Sequence, residues 1–220
     1  MSCIIVAIEG LDGTGKSTTV RLLADALSAE IVRNPPASLS ADRSGADRLP
    51  PEARRAWYLE ANRVAMSEAR AIAARGRPVV LDRSVASTLA FGAAEREEIA
   101  SLGDVPAGFP LPDVIILLEL PEAARLQRHR GRNDVKTAEE GRLATDHAFR
   151  ERVLAGYRRL CTKALSALPA PEQVVRELVE IVNDVTETLN APVSAPPPTE
   201  TVLAPPPSTS PGRRPGTASR

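Results

Sequence analysis

Residues 3–17 read CIIVAIEGLDGTGKS, an apolar run that ends in a glycine-rich turn carrying Lys16 and Ser17. Cys3–Ile8 is continuous, short and rich in β-branched residues, as expected of a strand covered on both faces. Gly10-Leu11-Asp12-Gly13-Thr14-Gly15-Lys16-Ser17 satisfies G-x4-G-K-[ST] in full. Val20, Leu22, Leu23 and Leu27 then follow at helical spacing from Lys16 to Leu27. A glycine-rich loop between a strand and a helix is the setting in which this motif holds phosphate. Its glycines let backbone N–H groups turn inward, and the helix adds its unpaired N–H groups and positive dipole end at the same point. The predicted nucleotide-binding residues are therefore Gly10 to Thr18, with Lys16 reaching the β- and γ-phosphates and the Ser17 hydroxyl on Mg²⁺. ATP and Mg²⁺ are the implied cofactors. The competing reading, a fortuitous glycine turn, needs every fixed position to coincide in the right context.

Working outward, Glu30–Arg33 reads as a weaker second strand. Pro51–Arg75 has no interior Gly or Pro and predicts a long helix. Arg77–Leu81 and Val114–Leu118 predict the third and fourth strands. Helices are predicted at about Glu122–Arg130 and Thr145–Leu168, and a terminal one spans Val174 to Leu189. Strands alternating with helices imply a three-layer α/β/α fold of the P-loop NTPase type, with a mostly parallel sheet of four to five strands. No convincing fifth strand is legible in the terminal region.

The 220 residues suit one α/β domain and a tail. Lys plus Arg and Asp plus Glu balance at 28 each, which gives no electrostatic case for nucleic acid or an anionic membrane as partner. Only Lys16, Lys136 and Lys163 are lysines, so arginine number says little and lysine position says more. Cys3 and Cys161 lack metal-ligand or CxxC spacing, so buried reduced thiols and a cytoplasmic location are expected. No apolar run reaches membrane-spanning length. His129 and His147 are isolated and receive no role. From Pro192 to Arg220, nine of 29 residues are proline, and a disordered tail of unknown partner is expected over 191–220, after a domain at 1–190.

Ile5–Leu27 resembles the opening of the thymidylate kinases, and the resemblance continues to about residue 168. It runs through Arg33-Asn34-Pro35, Ala61-Asn62-Arg63, Asp82-Arg83 with Ser87 and Thr88, Pro112-Asp113, and Leu120-Pro121-Glu122 before an arginine-rich lid at about 130–142. The resemblance implies that Arg33 and Arg83 hold an acceptor phosphate, that Arg63 reads the base edge and that Asp12 contacts the sugar. Asp82, at the carboxyl end of the third strand, can face the metal and its waters. Arg83 suits a phosphate through its guanidinium fork. Gly13 stands where some members carry a loop arginine. The transition-state clamp is therefore expected from Arg130 or Arg132, with Arg128 next. Each arginine has a solvated-surface alternative, and Asp82-Arg83 has a strand-end ion pair as its own.

The family's stacking phenylalanine, four residues before Arg63, is replaced by Leu59. Trp57 and Tyr58 beside it are expected on other helix faces. Ala65-Met66 stands where Gln-His is common, and Ser84 replaces an aromatic. The expected function is ATP-dependent phosphoryl transfer to a nucleoside monophosphate, dTMP to dTDP first. The alternative is a P-loop kinase of a nucleoside or another small metabolite, for which Glu30 is a poor base. A nucleotide-binding regulator that uses its tail is the third reading, and the arginines and Asp82 argue against it. A homodimer is left open.

Overall fold

The computed structural model describes residues 3–130 and 138–191, without the side chains of 129, 130 and 138–140. The expectations for the Arg130 and Arg132 side chains, for most of the lid and for the proline-rich tail fall outside those residues. The element order is β1 (Ile5–Glu9), α1 (Lys16–Leu27), β2 (Glu30–Arg33), a 3-10 turn (Ala37–Asp42) into the short α2 (Arg43–Ala46), α3 (Pro51–Ala73), β3 (Val79–Asp82) and α4 (Val85–Glu95). β4 (Val114–Glu119), α5 (Glu122–Arg130), α6 (Ala138–Thr145), α7 (His147–Leu160), β5 (Lys163–Ser166) and α8 (Pro171–Asn190) complete it.

The five strands are ordered β2-β3-β1-β4-β5, and every pair is parallel. The apolar runs read from sequence feed two cores, because successive strand side chains point to opposite faces. Ile5, Ala7, Val79, Leu81, Ile115 and Leu117 pack with α3, α4 and α7 on one face. Val6, Ile8, Val80, Val114, Ile116 and Leu118 pack with α1 and α8 on the other. β1 lies between β3 and β4, so the chain departs to both sides of it. The crevice opened there, at the strands' carboxyl ends, is where a ligand fits in an open α/β sheet.

β5 corrects the sequence reading. The helix expected to reach Leu168 stops at Leu160, and Cys161 turns to extended backbone (φ −86°, ψ 142°). Thr162 N–H then donates to the Ile115 carbonyl at 2.8 Å, and Lys163–Ser166 pairs with Ile116–Glu119. This edge strand is short and mostly exposed. It carries little apolar signal, and no Gly or Pro marks the change from helix. Cys3 and Cys161 are half-buried rather than buried.

Two glycines set close approaches that shape the site. Gly10 has φ +147°, and a Cβ there would lie 2.6 Å from the Leu118 carbonyl oxygen, so the loop starts hard against β4. Gly156 lets α7 close on α4, since its Cβ would meet Ala90 Cα and Cβ at 3.3 Å. No described helix is long and apolar enough to cross a membrane.

Candidate active site

The loop from Gly10 to Gly15 turns on itself before α1. Gly13 and Gly15 have positive φ (87° and 96°), which removes the steric cost an L side chain would meet there. The Thr14 hydroxyl donates to the Leu11 carbonyl at 2.9 Å. Lys16 Nζ donates to the same carbonyl at 2.9 Å and lies 3.6 Å from the Asp12 carboxylate. Only 7% of Lys16 is exposed. Burial first, and Arg83 second, lower its pKa to about 8, against the opposing pull of Asp12, Glu9 and Asp82. Ser17 and Thr18 are exposed at the first turn of α1.

Asp82 and Arg83 terminate β3 beside β1, with Ile8 opposite Asp82. Arg83 takes the left-handed conformation (φ 74°), uncommon for a non-glycine residue and costly by about 1–3 kcal/mol. That turn aims its guanidinium back over the loop. Nη2 donates to Asp12 Oδ1 at 2.6 Å, and Nη1 to Ser87 Oγ at 3.0 Å and Tyr157 OH at 3.3 Å. Burial works against the Arg83 charge. The surrounding Tyr157 oxygen, Asp12, Glu9 and Asp82 outweigh it, so its pKa is raised and it stays a cation.

Glu9 organises the floor. It is fully buried, and its Oε1 accepts from Ser84 N at 2.7 Å, Ser84 Oγ at 2.8 Å and Ser87 N at 3.2 Å. Oε2 accepts from Ser87 Oγ at 2.7 Å. A carboxylate at the positive end of α4 is favourable, and here it also satisfies the helix's first N–H groups. Ser84 caps α4 by accepting from Ala86 N. Sequence reasoning did not single out Glu9, Tyr157 or α4 itself. Ser84 before an alanine-rich run is the helix-start signal that could have found α4.

A cleft runs from this cluster along α4, walled by α3. Asp12, Arg83, Ser87 and Thr88 line the inner end, and Tyr58, Arg54, Arg55, Phe91 and Glu95 the outer end. Arg54 and Glu95 form an ion pair there. Ser87 to Glu95 is eight residues, or about 12 Å of helix at 1.5 Å per residue. A second concavity, lined by Gly13, Gly15, Thr18 and Arg128, opens on the other side of the loop. Arg128 donates to the Thr14 carbonyl at 3.1 Å and to Ala167 O at 2.9 Å.

Two expected acceptor residues do not line this cleft. Arg33 is exposed at the end of β2 and is replaced in the wall by Asn34 and Pro35. Arg63 is exposed and lies over the Phe109 ring, 4.6 Å from its centroid. The aromatic reading of α3 also changes: Tyr58 faces the cleft, whereas Leu59 packs against the core. The helix presents positions 51, 54, 55 and 58, with Asn62 one turn on. Asn62 accepts from Asn34 and donates to Thr88 Oγ1 at 3.0 Å. Among the described residues no group of three or more His, Cys, Asp or Glu is placed to hold a metal.

The stretch of chain that holds the loop, Asp82-Arg83 and the cleft matches a family model. That model, thymidylate kinase, covers residues 8–178. The chain belongs to the thymidylate kinase family. It is 33% identical over 177 residues to the thymidylate kinase of Cereibacter sphaeroides, covering 69% of this chain and 78% of that protein. With the Gluconobacter oxydans thymidylate kinase it shares 31% over 205 residues, covering 82% and 94%. Human mitochondrial UMP-CMP kinase 2 is 33% identical over 192 residues, but the match spans 82% of this chain and only 42% of that protein. The solved thymidylate kinase of Candida albicans shares the fold, with a TM-score of 0.67 at 18% identity over 84% of this chain and 93% of that one. The family is thus kinase chemistry on the all-parallel five-stranded sheet seen here.

Proposed function

We propose that the chain transfers the γ-phosphoryl group of ATP to dTMP, giving dTDP. The observation that carries this reading is the place of Arg83. It stands where the phosphate loop meets the cleft along α4, with Asp12 on one side and Ser87 and Tyr157 on the other. A monophosphate entering the cleft would meet a permanent cation at its inner end, and its base would reach toward Tyr58 and the Arg54–Glu95 pair. Lys16 and the loop N–H groups would bear the donor phosphates. Asp82, Ser17 and Thr18 remain beside the loop.

Oxygen ligands from a hydroxyl and a carboxylate suit Mg²⁺, which keeps several waters and is commonly shared between one or two protein ligands and phosphates. Ser17, exposed at the first turn of α1, and Asp82, at the end of β3 beside β1, would supply those two oxygen donors. When bound, the ion would neutralise charge between the phosphates. The chain's own part is placement: Lys16 and Arg83 set donor and acceptor on the two sides of Asp12, and Tyr157, Ser87 and Glu9 keep Arg83 aimed.

The similarity to a UMP-CMP kinase and the outward turn of Arg63 favour a second reading, in which other pyrimidine monophosphates are accepted alongside dTMP. Coupled ADP release with ATP-Mg decides between them, using dTMP, dUMP, dCMP, UMP, CMP and thymidine. dTMP turned over faster than thymidine is the expected result. A nucleoside preferred over every monophosphate would sink the proposal.

A further inference from the structure

Arg125 is among the most deeply buried side chains of the described residues, at 2% exposure, although it carries a guanidinium and is absent from the chemistry above. It stands on α5, and its guanidinium is used on every side. Nε and Nη2 donate to the two oxygens of Glu122 at 2.7 and 2.8 Å. Nη1 donates to the backbone carbonyl of Asp12 at 3.1 Å. Glu122 is drawn as well by Arg150 at 3.4 Å, which itself donates to the Leu143 carbonyl at 2.9 Å.

Burying the Arg125 guanidinium against a Glu122 side chain that is still 34% exposed is a costly way to fill space, since a well-packed apolar side chain of similar volume is often as stable. What an apolar residue cannot do is hold a carbonyl at a chosen orientation. The carbonyl concerned belongs to the peptide between Asp12 and Gly13, and at Gly13 (φ 87°) no side chain restricts the backbone. Turning that peptide would swing the Asp12 side chain relative to Arg83. Asp12 is therefore held through its backbone by Arg125 and through its carboxylate by Arg83, with Lys16 at 3.6 Å.

We infer that Arg125, held by Glu122, is a positioning residue that fixes the Asp12 peptide and so aims the Asp12 carboxylate at Arg83. The meaning of that aim for catalysis rests on the acceptor reading above, whereas the aim itself can be measured without it. Denaturant melts of the parent, Asp12→Asn, Arg83→Lys and the double variant give the coupling between the two side chains. The same set is then repeated in the Arg125→Lys background. The coupling is expected to fall by at least about threefold, expressed as a factor in the folding equilibrium, because residues in one network are non-additive only while geometry holds them together. Where Arg125→Lys does not fold, Glu122→Gln loosens the same guanidinium and takes its place. Coupling of equal size in both backgrounds, or none in the parent, overturns the inference. In turnover, Arg125→Lys is expected to raise the KM for dTMP about tenfold and to leave the KM for ATP within about twofold. An equal rise in both points to a merely structural role and counts against it. A parent that phosphorylates no nucleotide would remove the acceptor reading and leave the coupling result to decide this one.

Discussion

Arg83 reaches the Asp12 carboxylate at 2.6 Å from a left-handed backbone conformation, so an unfavourable turn after β3 is held in place by an ion pair to the phosphate loop. The same carboxylate lies 3.6 Å from Lys16. Two cations share this carboxylate, and the Glu9 and Asp82 carboxylates act on both of them as well.

The first expectation concerns Arg83 itself. Arg83→Ala would remove a partly desolvated cation from the acceptor end of the cleft. Losing such a partner costs on the order of 2–5 kcal/mol, or roughly 30- to several thousand-fold. The loss should appear in kcat/KM for dTMP, with ATP affinity measured separately changing far less. Equal losses for both nucleotides would place Arg83 on the donor side instead.

Lys16 gives a pH-dependent expectation. Its pKa is lowered to about 8, chiefly by burial. Phosphate oxygens favour the charged form and would raise it again. ATP binding at about pH 8.5 should therefore take up a proton, and uptake should vanish well below neutrality, where Lys16 is already charged. Calorimetry in two buffers of different ionisation enthalpy reads this directly. The folding consequence has a fixed sign. Between about 8 and the ordinary lysine value of 10.5, the folded chain binds fewer protons than the unfolded one. The cost of burying charged Lys16 is thus fully present below pH 8 and is relieved as pH rises through that window. Proton release on ATP binding would separate Lys16 from the phosphates.

How much of this was legible depends on how contiguous the signal is. The loop is eight adjacent residues between a strand and a helix, and α1 begins and ends where its apolar spacing predicted, at Lys16 and Leu27. β2 likewise spans Glu30–Arg33 as read. β5 was not legible, because its stability comes from hydrogen bonds to β4 rather than from its own side chains. The face of α3 that lines the cleft lies one helix position from the expected one, with Tyr58 rather than Leu59 in the wall. Positions 59 and 63 lie on one face of α3 and 58 and 62 on the next, about 100° away, and only packing against α4 selects between them. Glu9 and Arg125 were missed because buried charges look like surface ones until their partners, 75 and 113 residues distant, are brought together.

The Glu9 carboxylate should be worth more to the fold than its one charge suggests. Glu9→Leu leaves the Ser84 N–H at the start of α4 without its acceptor and the Ser87 N–H with only the Ser84 carbonyl, at 3.2 Å. A buried donor so abandoned costs about 1–3 kcal/mol, which for a domain of this size lowers Tm by several degrees. Glu9→Gln can still offer a carbonyl oxygen to both N–H groups and should lose much less. The comparison is made by thermal melts of the two variants. Equal melting temperatures would mean that the hydrogen bonds at α4 are replaced by water.

The final expectation separates the two faces of α3. Tyr58 lines the cleft with Arg55, Phe91 and Gly92, as does Arg83. The Tyr58 hydroxyl is engaged by Asp47, which holds the ring in place. An aromatic ring held against a base contributes about 1–3 kcal/mol by alanine substitution in base-stacking sites. Tyr58→Ala should therefore raise the KM for dTMP by roughly 5- to 150-fold with little change in the KM for ATP. Arg63, by contrast, lies over Phe109 on the neighbouring face and makes its nearest ion pair with Glu60 at 4.0 Å. Exposed pairs of that kind contribute little, so Arg63→Ala should leave both constants within about twofold. Steady-state kinetics of the two variants side by side give the answer. A large acceptor defect in Arg63→Ala with none in Tyr58→Ala would mean that α3 turns by one position when the nucleotide enters, restoring the face that the family resemblance implies.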